Sequence, residues 1–114
     1  MNYTRLSREK RSRIVHCFAE DVPASIAAKL VLVNRKTVNT WYRELRLRML
    51  PEASKLPEIP SPGQFAAFHK RRIAKFNGLS KASNRLFLID SRLRYQLKVR
   101  FRTVLIDAAA ELLD

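Results

Sequence analysis

The sequence predicts an all-α protein with an N-terminal three-helix domain of helix-turn-helix type, a proline-rich linker and a C-terminal helical segment. Three observations carry this. Apolar residues recur at three- and four-residue steps over most of the 114-residue chain, the period of one helix face. Pro51, Pro57, Pro60 and Pro62 crowd its middle, a spacing that excludes both helix and central strand. Residues 23–48 read as two short helices about a tight turn. The expected divisions are 1–50, 51–63 and 64–114.

Taken in order, Ser7 caps a first helix running to about Glu20, with Glu9 in the turn where the macrodipole favours an acid. Ile14, Val15, Phe18 and Ala19 make its apolar face; Arg8, Arg11 and Arg13 stay in water. Pro23, with no N–H to leave unpaired, opens the second helix. Ile26, Ala27, Leu30 and Val31 share a face there, and Ala27 and Ala28 let a neighbour approach closely. Asn34 caps the third helix, which runs to about Leu50 with Val38, Trp41 and Leu45 inward. Phe18, Ile26, Leu30, Val38 and Trp41 are expected to supply most of the buried area. The turn position that such motifs usually give to glycine is Leu32, where a positive φ would be strained by roughly 1–3 kcal/mol.

Beyond the linker, residues 64–76 form a helix with Phe65, Phe68, Ile73 and Phe76 apolar and Lys70, Arg71, Arg72 and Lys75 cationic. Asn77 and Gly78 stop it, and Ser80 caps the next helix near Lys81. Leu86, Ile89, Leu93, Leu97, Phe101, Val104, Ala108 and Leu112 continue as one ladder. Residues 95–102, YQLKVRFR, also alternate as a strand would. Length and surroundings favour helix, bent or broken near Val99.

Net charge is +13, divided into +7 over residues 1–50, −1 over 51–63 and +7 over 64–114. Such a surplus favours polyanions, nucleic acid first and an anionic membrane surface second. Two basic blocks about a near-neutral joint imply two binding surfaces. No apolar run approaches the ~18–20 residues of a membrane span. The N-terminal residues lack a signal-peptide core, so the expected location is the cytoplasm, on the nucleoid. The single cysteine, Cys17, excludes an internal disulfide. His16 beside it points about 100° away on a helix, so no metal site and no cofactor is expected.

The outer face of the third helix carries the chemistry. Asn34, Arg35, Lys36, Thr37, Asn39, Thr40 and Arg43 are the expected DNA-binding residues. Arg bridges guanine O6 and N7, Asn bridges adenine N6 and N7, and Thr offers a hydroxyl and a methyl. Asn39 is the expected base reader, since at ~100° per residue it points away from Val38 and Trp41. Lys70, Arg71, Arg72 and Lys75 are the expected phosphate contacts.

Three strings are familiar together. Residues 33–43, VNRKTVNTWYR, resemble the N-terminal helix-turn-helix of a family of bacterial insertion-sequence DDE transposases. Residues 68–80, FHKRRIAKFNGLS, look like the C-terminal part of that family's catalytic domain, and Leu93, Arg94 and Tyr95 resemble the step that follows there. The resemblance implies a fold like RNase H with two metal ions on acidic residues. The sheet that would carry that centre has no counterpart between the two ends. The family's last acidic position falls near Gly63, and Asp21, Asp90 and Asp107 match none of its motif positions. What the resemblance implies is an internally deleted relative without catalytic activity. Its expected partners are double-stranded DNA at element ends and, through the C-terminal helices, itself or an intact transposase. The alternatives are an accessory subunit of an active transposase and a basic helical protein binding nucleic acid without sequence choice.

Overall fold

The computed structural model describes residues 6–76 and 81–113, at 81 and 82 the backbone alone, and every regular element in it is helical. Helix α1 spans Arg8–Ala19, α2 Ala24–Val31, α3 Arg35–Arg48 and the single turn α4 Leu50–Ala53. Then come α5, Pro62–Lys75, α6, Lys81–Leu97, a 3-10 turn at Lys98–Arg100 and α7, Phe101–Leu113.

Local chemistry explains the boundaries. Ser7 Oγ accepts the Lys10 N–H at 3.1 Å and starts α1. Asn34 Oδ1 accepts the Lys36 N–H at 2.7 Å and starts α3. Helices α1 and α2 stop in the same way. The Val22 N–H donates to Cys17 O at 3.0 Å and the Val33 N–H to Ala28 O at 3.1 Å, with the residue between in the left-handed region. That residue is Asp21 (φ 59°) after α1 and Leu32 (φ 62°) after α2. Aspartate tolerates the conformation; leucine is strained there, as its position predicted. The strand-like alternation of residues 95–102 resolves into the end of α6, the 3-10 turn with Lys98 at φ 52°, and the start of α7. The expected stop at Asn77 and Gly78 and the Ser80 cap lie outside the described residues.

Packing corrects four expectations. In α2 the buried residues are Ala24, Ala27 and Val31, whereas Ile26 and Leu30 remain 49% and 53% exposed. Small side chains let α2 lie close against α3, and that contact turns the larger ones outward. On α5 the inward row is Phe65, Arg72 and Phe76, with Ile73 exposed. On α6 and α7 the ladder shifts. Phe87, Asp90 and Ser91 are buried in place of Leu86 and Ile89; Leu93, Leu97, Phe101 and Leu112 are buried as expected, with Leu105 and Ala109 in place of Val104 and Ala108.

The fourth correction concerns the divisions at 50 and 63. One apolar core joins Ile14, Phe18, Val38, Trp41, Leu45 and Met49 to Leu93, Leu97, Phe101, Leu105 and Leu112. Helix α7 lies along α1, and α6 along α3. The proline-rich stretch is a strap across this body: Pro62 begins α5, Leu56 packs on the core, and Gln96 Nε2 donates to Pro57 O at 2.7 Å. The radius of gyration of 13.9 Å is close to the ~13 Å of a single compact domain of this length.

Candidate nucleic-acid interface

Val38, Trp41, Leu45 and Met49 fix which side of α3 is buried. The other side presents Arg35, Lys36, Asn39, Thr40 and Arg43 to solvent. Among the described residues the side chains of Arg35, Lys36, Asn39 and Arg43 have no hydrogen-bond or ion-pair partner. Thr40 Oγ1 donates to Lys36 O at 3.0 Å, leaving its methyl and lone pairs outward. Thr37 is half-buried on the opposite flank, and Asn34 spends its side-chain oxygen on the cap.

This stripe is one wall of a cleft of about 440 Å³. Its other walls are the start of α2 with Ser25, the end of α5 with Lys75 and Phe76, and Ser83 of α6. Arg35, Lys36, Arg43, Arg46 and Lys75 line it, and among the described residues no Asp or Glu does. A second hollow, of about 810 Å³ beneath the strap, mixes Lys55, Lys98 and Arg100 with Glu52 and an apolar floor that includes Leu56 and Phe68. Only the first is cationic without an acid.

The four expected phosphate contacts separate. Lys75 lies in the cleft. Lys70 and Arg71 are exposed but outside it. Arg72 is a correction: it is 3% exposed and cannot reach a phosphate. It donates through Nε and Nη2 to both Asp21 oxygens at 2.8 and 2.6 Å, and through Nη1 to Ser91 Oγ at 2.5 Å. The Ser91 hydroxyl also lies 2.8 Å from His69 Nδ1, within hydrogen-bond distance. Burial and the nearby Arg72 charge hold the His69 pKa below its ordinary value.

Arg72 belongs to a constellation that the sequence reading missed. Buried Asp90 of α6 accepts from Arg46 of α3 at 2.8 Å and from Arg94 one turn on, with Arg72 at 3.2 Å. Arg94 also donates to Phe18 O at 2.8 Å. The guanidinium faces lie on aromatic rings: Arg46 is 5.3 Å from the Phe87 centroid, Arg72 4.3 Å from Phe87, and Arg94 4.3 Å from Phe101. Burial alone would raise the Asp90 pKa. The charges of Arg94, Arg72 and Arg46 outweigh it and hold the carboxyl well below the usual carboxylate range. Asp90 thus ties α3, α5 and α6 together at the edge of the cleft. Among the described residues no three His, Cys, Asp or Glu side chains form a group able to hold a metal ion. Gly63 sits in the exposed first turn of α5. No described helix is long and apolar enough to cross a membrane.

Fold and cleft together define an all-helical protein with an acid-free cationic groove beside an exposed, unpaired helix face. No protein-family model, curated protein or solved structure matches the chain.

Proposed function

We propose that this chain binds double-stranded DNA, reading bases with α3 in the major groove, as a catalytically inactive relative of the helix-turn-helix transposases its sequence resembles. It would act in the cytoplasm, on the nucleoid, occupying element ends and competing with an intact enzyme. The observation that carries the reading is the outer face of α3: three cations and an asparagine, exposed and unpaired, on a helix whose opposite side is fully packed. A helix held so firmly from behind can present side chains to base edges in one fixed register.

The competitor role is favoured over that of an accessory subunit because α6 and α7, the segments that would join an intact enzyme, are committed to the chain's own core. A non-catalytic role is supported by the state of Asp21 and Asp90. They are brought together, but guanidinium groups occupy their oxygens.

Selection from a random duplex pool, followed by sequencing of the retained DNA, tests the reading. A defined motif is expected. If about six phosphates are neutralised, log K should fall against log salt with a slope near −5. Recovery of unenriched DNA with a slope near zero contradicts it.

A further inference from the structure

The proposed DNA reading leaves unexplained why the cleft beside α3 is walled by α5. The buried cluster supplies a reason. Four cationic groups, Arg46, Arg72, Arg94 and Lys75, meet two carboxylates, Asp21 and Asp90, and leave a surplus of two positive charges. Three of the four are guanidiniums with their edges on carboxylates and their faces on rings. Lys75 differs. Its ammonium lies 3.3 Å from Asp21 Oδ2, an oxygen that already accepts from Arg72 at 2.8 Å. Its side chain is 46% exposed, and it stands in the cleft wall facing the Asn39 and Arg43 stripe. The ammonium also lies 5.4 Å from the Phe76 centroid, but Lys75 is the most exposed member, and its departure leaves Asp21 still bridged by Arg72 Nε and Nη2.

Resting on the DNA reading, we propose that Lys75 is a phosphate clamp. On binding, its ammonium moves from Asp21 to a phosphodiester oxygen of the strand whose bases meet α3. That backbone then runs in the cleft between α3 and the end of α5, with Arg43 on the opposite wall. An ammonium on a flexible stem suits the task, because it follows a point charge without the fixed fork of a guanidinium. The acid-free lining suits it as well, since a carboxylate in the wall would repel the phosphate. The C-terminal half of the chain thereby becomes part of the DNA site, through one residue placed by a buried cluster.

The test measures the salt dependence of binding to one selected duplex for the parent, Lys75→Gln, Lys75→Arg and Arg71→Gln. Lys75→Gln should reduce the magnitude of the slope by about 1 and weaken all sequences alike, with base preference unchanged. Lys75→Arg should keep the parent slope. Arg71→Gln makes the same charge change on the same helix outside the cleft, and should move the slope by less than half as much. Ethylation of one phosphate should weaken the parent and leave Lys75→Gln indifferent. Circular dichroism checks that each variant is folded. Equal slopes for the parent and Lys75→Gln, or a Lys75→Arg slope that falls with Lys75→Gln, overturn the clamp and leave the DNA reading standing. A parent that shows no salt-dependent binding to any duplex contradicts the DNA reading itself.

Discussion

The outer face of α3 carries basic residues at helical spacing and the inner face of α5 carries one, Arg72, and the two faces put their cations to opposite use. On α3, Arg35, Lys36 and Arg43 face water without a described partner. On α5, Arg72 is enclosed, with carboxylates at its edges and rings on its face. The difference lies in what the rest of the chain brings up: Asp21 from the joint after α1 and Asp90 from α6. A guanidinium is planar and weakly hydrated, so it can be buried where its edges meet carboxylates and its faces meet rings. A row of arginines therefore marks a polyanion surface only where no acid from elsewhere in the fold has claimed it.

The largest expected effect breaks the buried side of this contrast. Arg72→Ala strips Asp21 of its bidentate partner and empties the space over Phe87, and should reduce the unfolding free energy by about 3–5 kcal/mol. Arg71→Ala, one residue earlier and exposed, should stay within ~0.5 kcal/mol of the parent. Urea titrations of the two variants measure both; equal midpoints would erase the distinction between the faces. Acid probes the same cluster. The folded Asp90 pKa lies below its unfolded value of about 3.9, so its contribution is complete above that pH and is lost only as pH falls further. Melting temperature should hold down to about pH 4 and drop below it. In Asp90→Asn, destabilised throughout, that acid-limb drop should be shallower.

Next in size is the exposed side. Asn39→Ala should cost about 1–3 kcal/mol of discrimination at one base pair and leave thermal stability unchanged or slightly higher. Unaltered base preference on the selected site would mean that another residue reads it. Smallest is the turn between α2 and α3. Leu32 is 77% exposed at φ 62°, so Leu32→Gly removes strain and gives up little burial. A gain of about 0.5–1 kcal/mol is expected. A loss in calorimetry would show that this leucine contributes more by contact than its backbone costs.

How much was legible in the sequence follows the same division. Caps are local, so Ser7 and Asn34 were readable from a few residues. The break near Val99 was readable because two periodicities competed there. Asn39 was placed outward by the burial of its own neighbours, Val38 and Trp41. Arg72 was not legible, since its partner Asp21 lies 51 residues earlier and the periodicity of α5 reads equally well with Ile73 inward. Ile26 and Leu30 failed for a related reason. Hydrophobicity names the apolar flank of a short helix, whereas the small residues of that flank decide which part touches α3. The proposed divisions at 50 and 63 took proline content for separation, and prolines serve equally well in a strap fastened to one core.

The contact between the last helix and the first has a consequence in time. Arg11 Nη1 donates to Leu112 O at 3.3 Å, and Arg102 of α7 pairs with Glu20 of α1. Helix α1 is made before its partner, which follows after roughly eighty further residues, ~4–16 s later at ~5–20 residues per second. Until then Ile14 and Phe18 have no α7 to cover them, and Arg11 has no Leu112 carbonyl to hold. The nascent chain should hold α1 only partly packed until α7 emerges. A chain ending at Arg100 should accordingly be cut by protease within residues 8–48, where the whole protein resists.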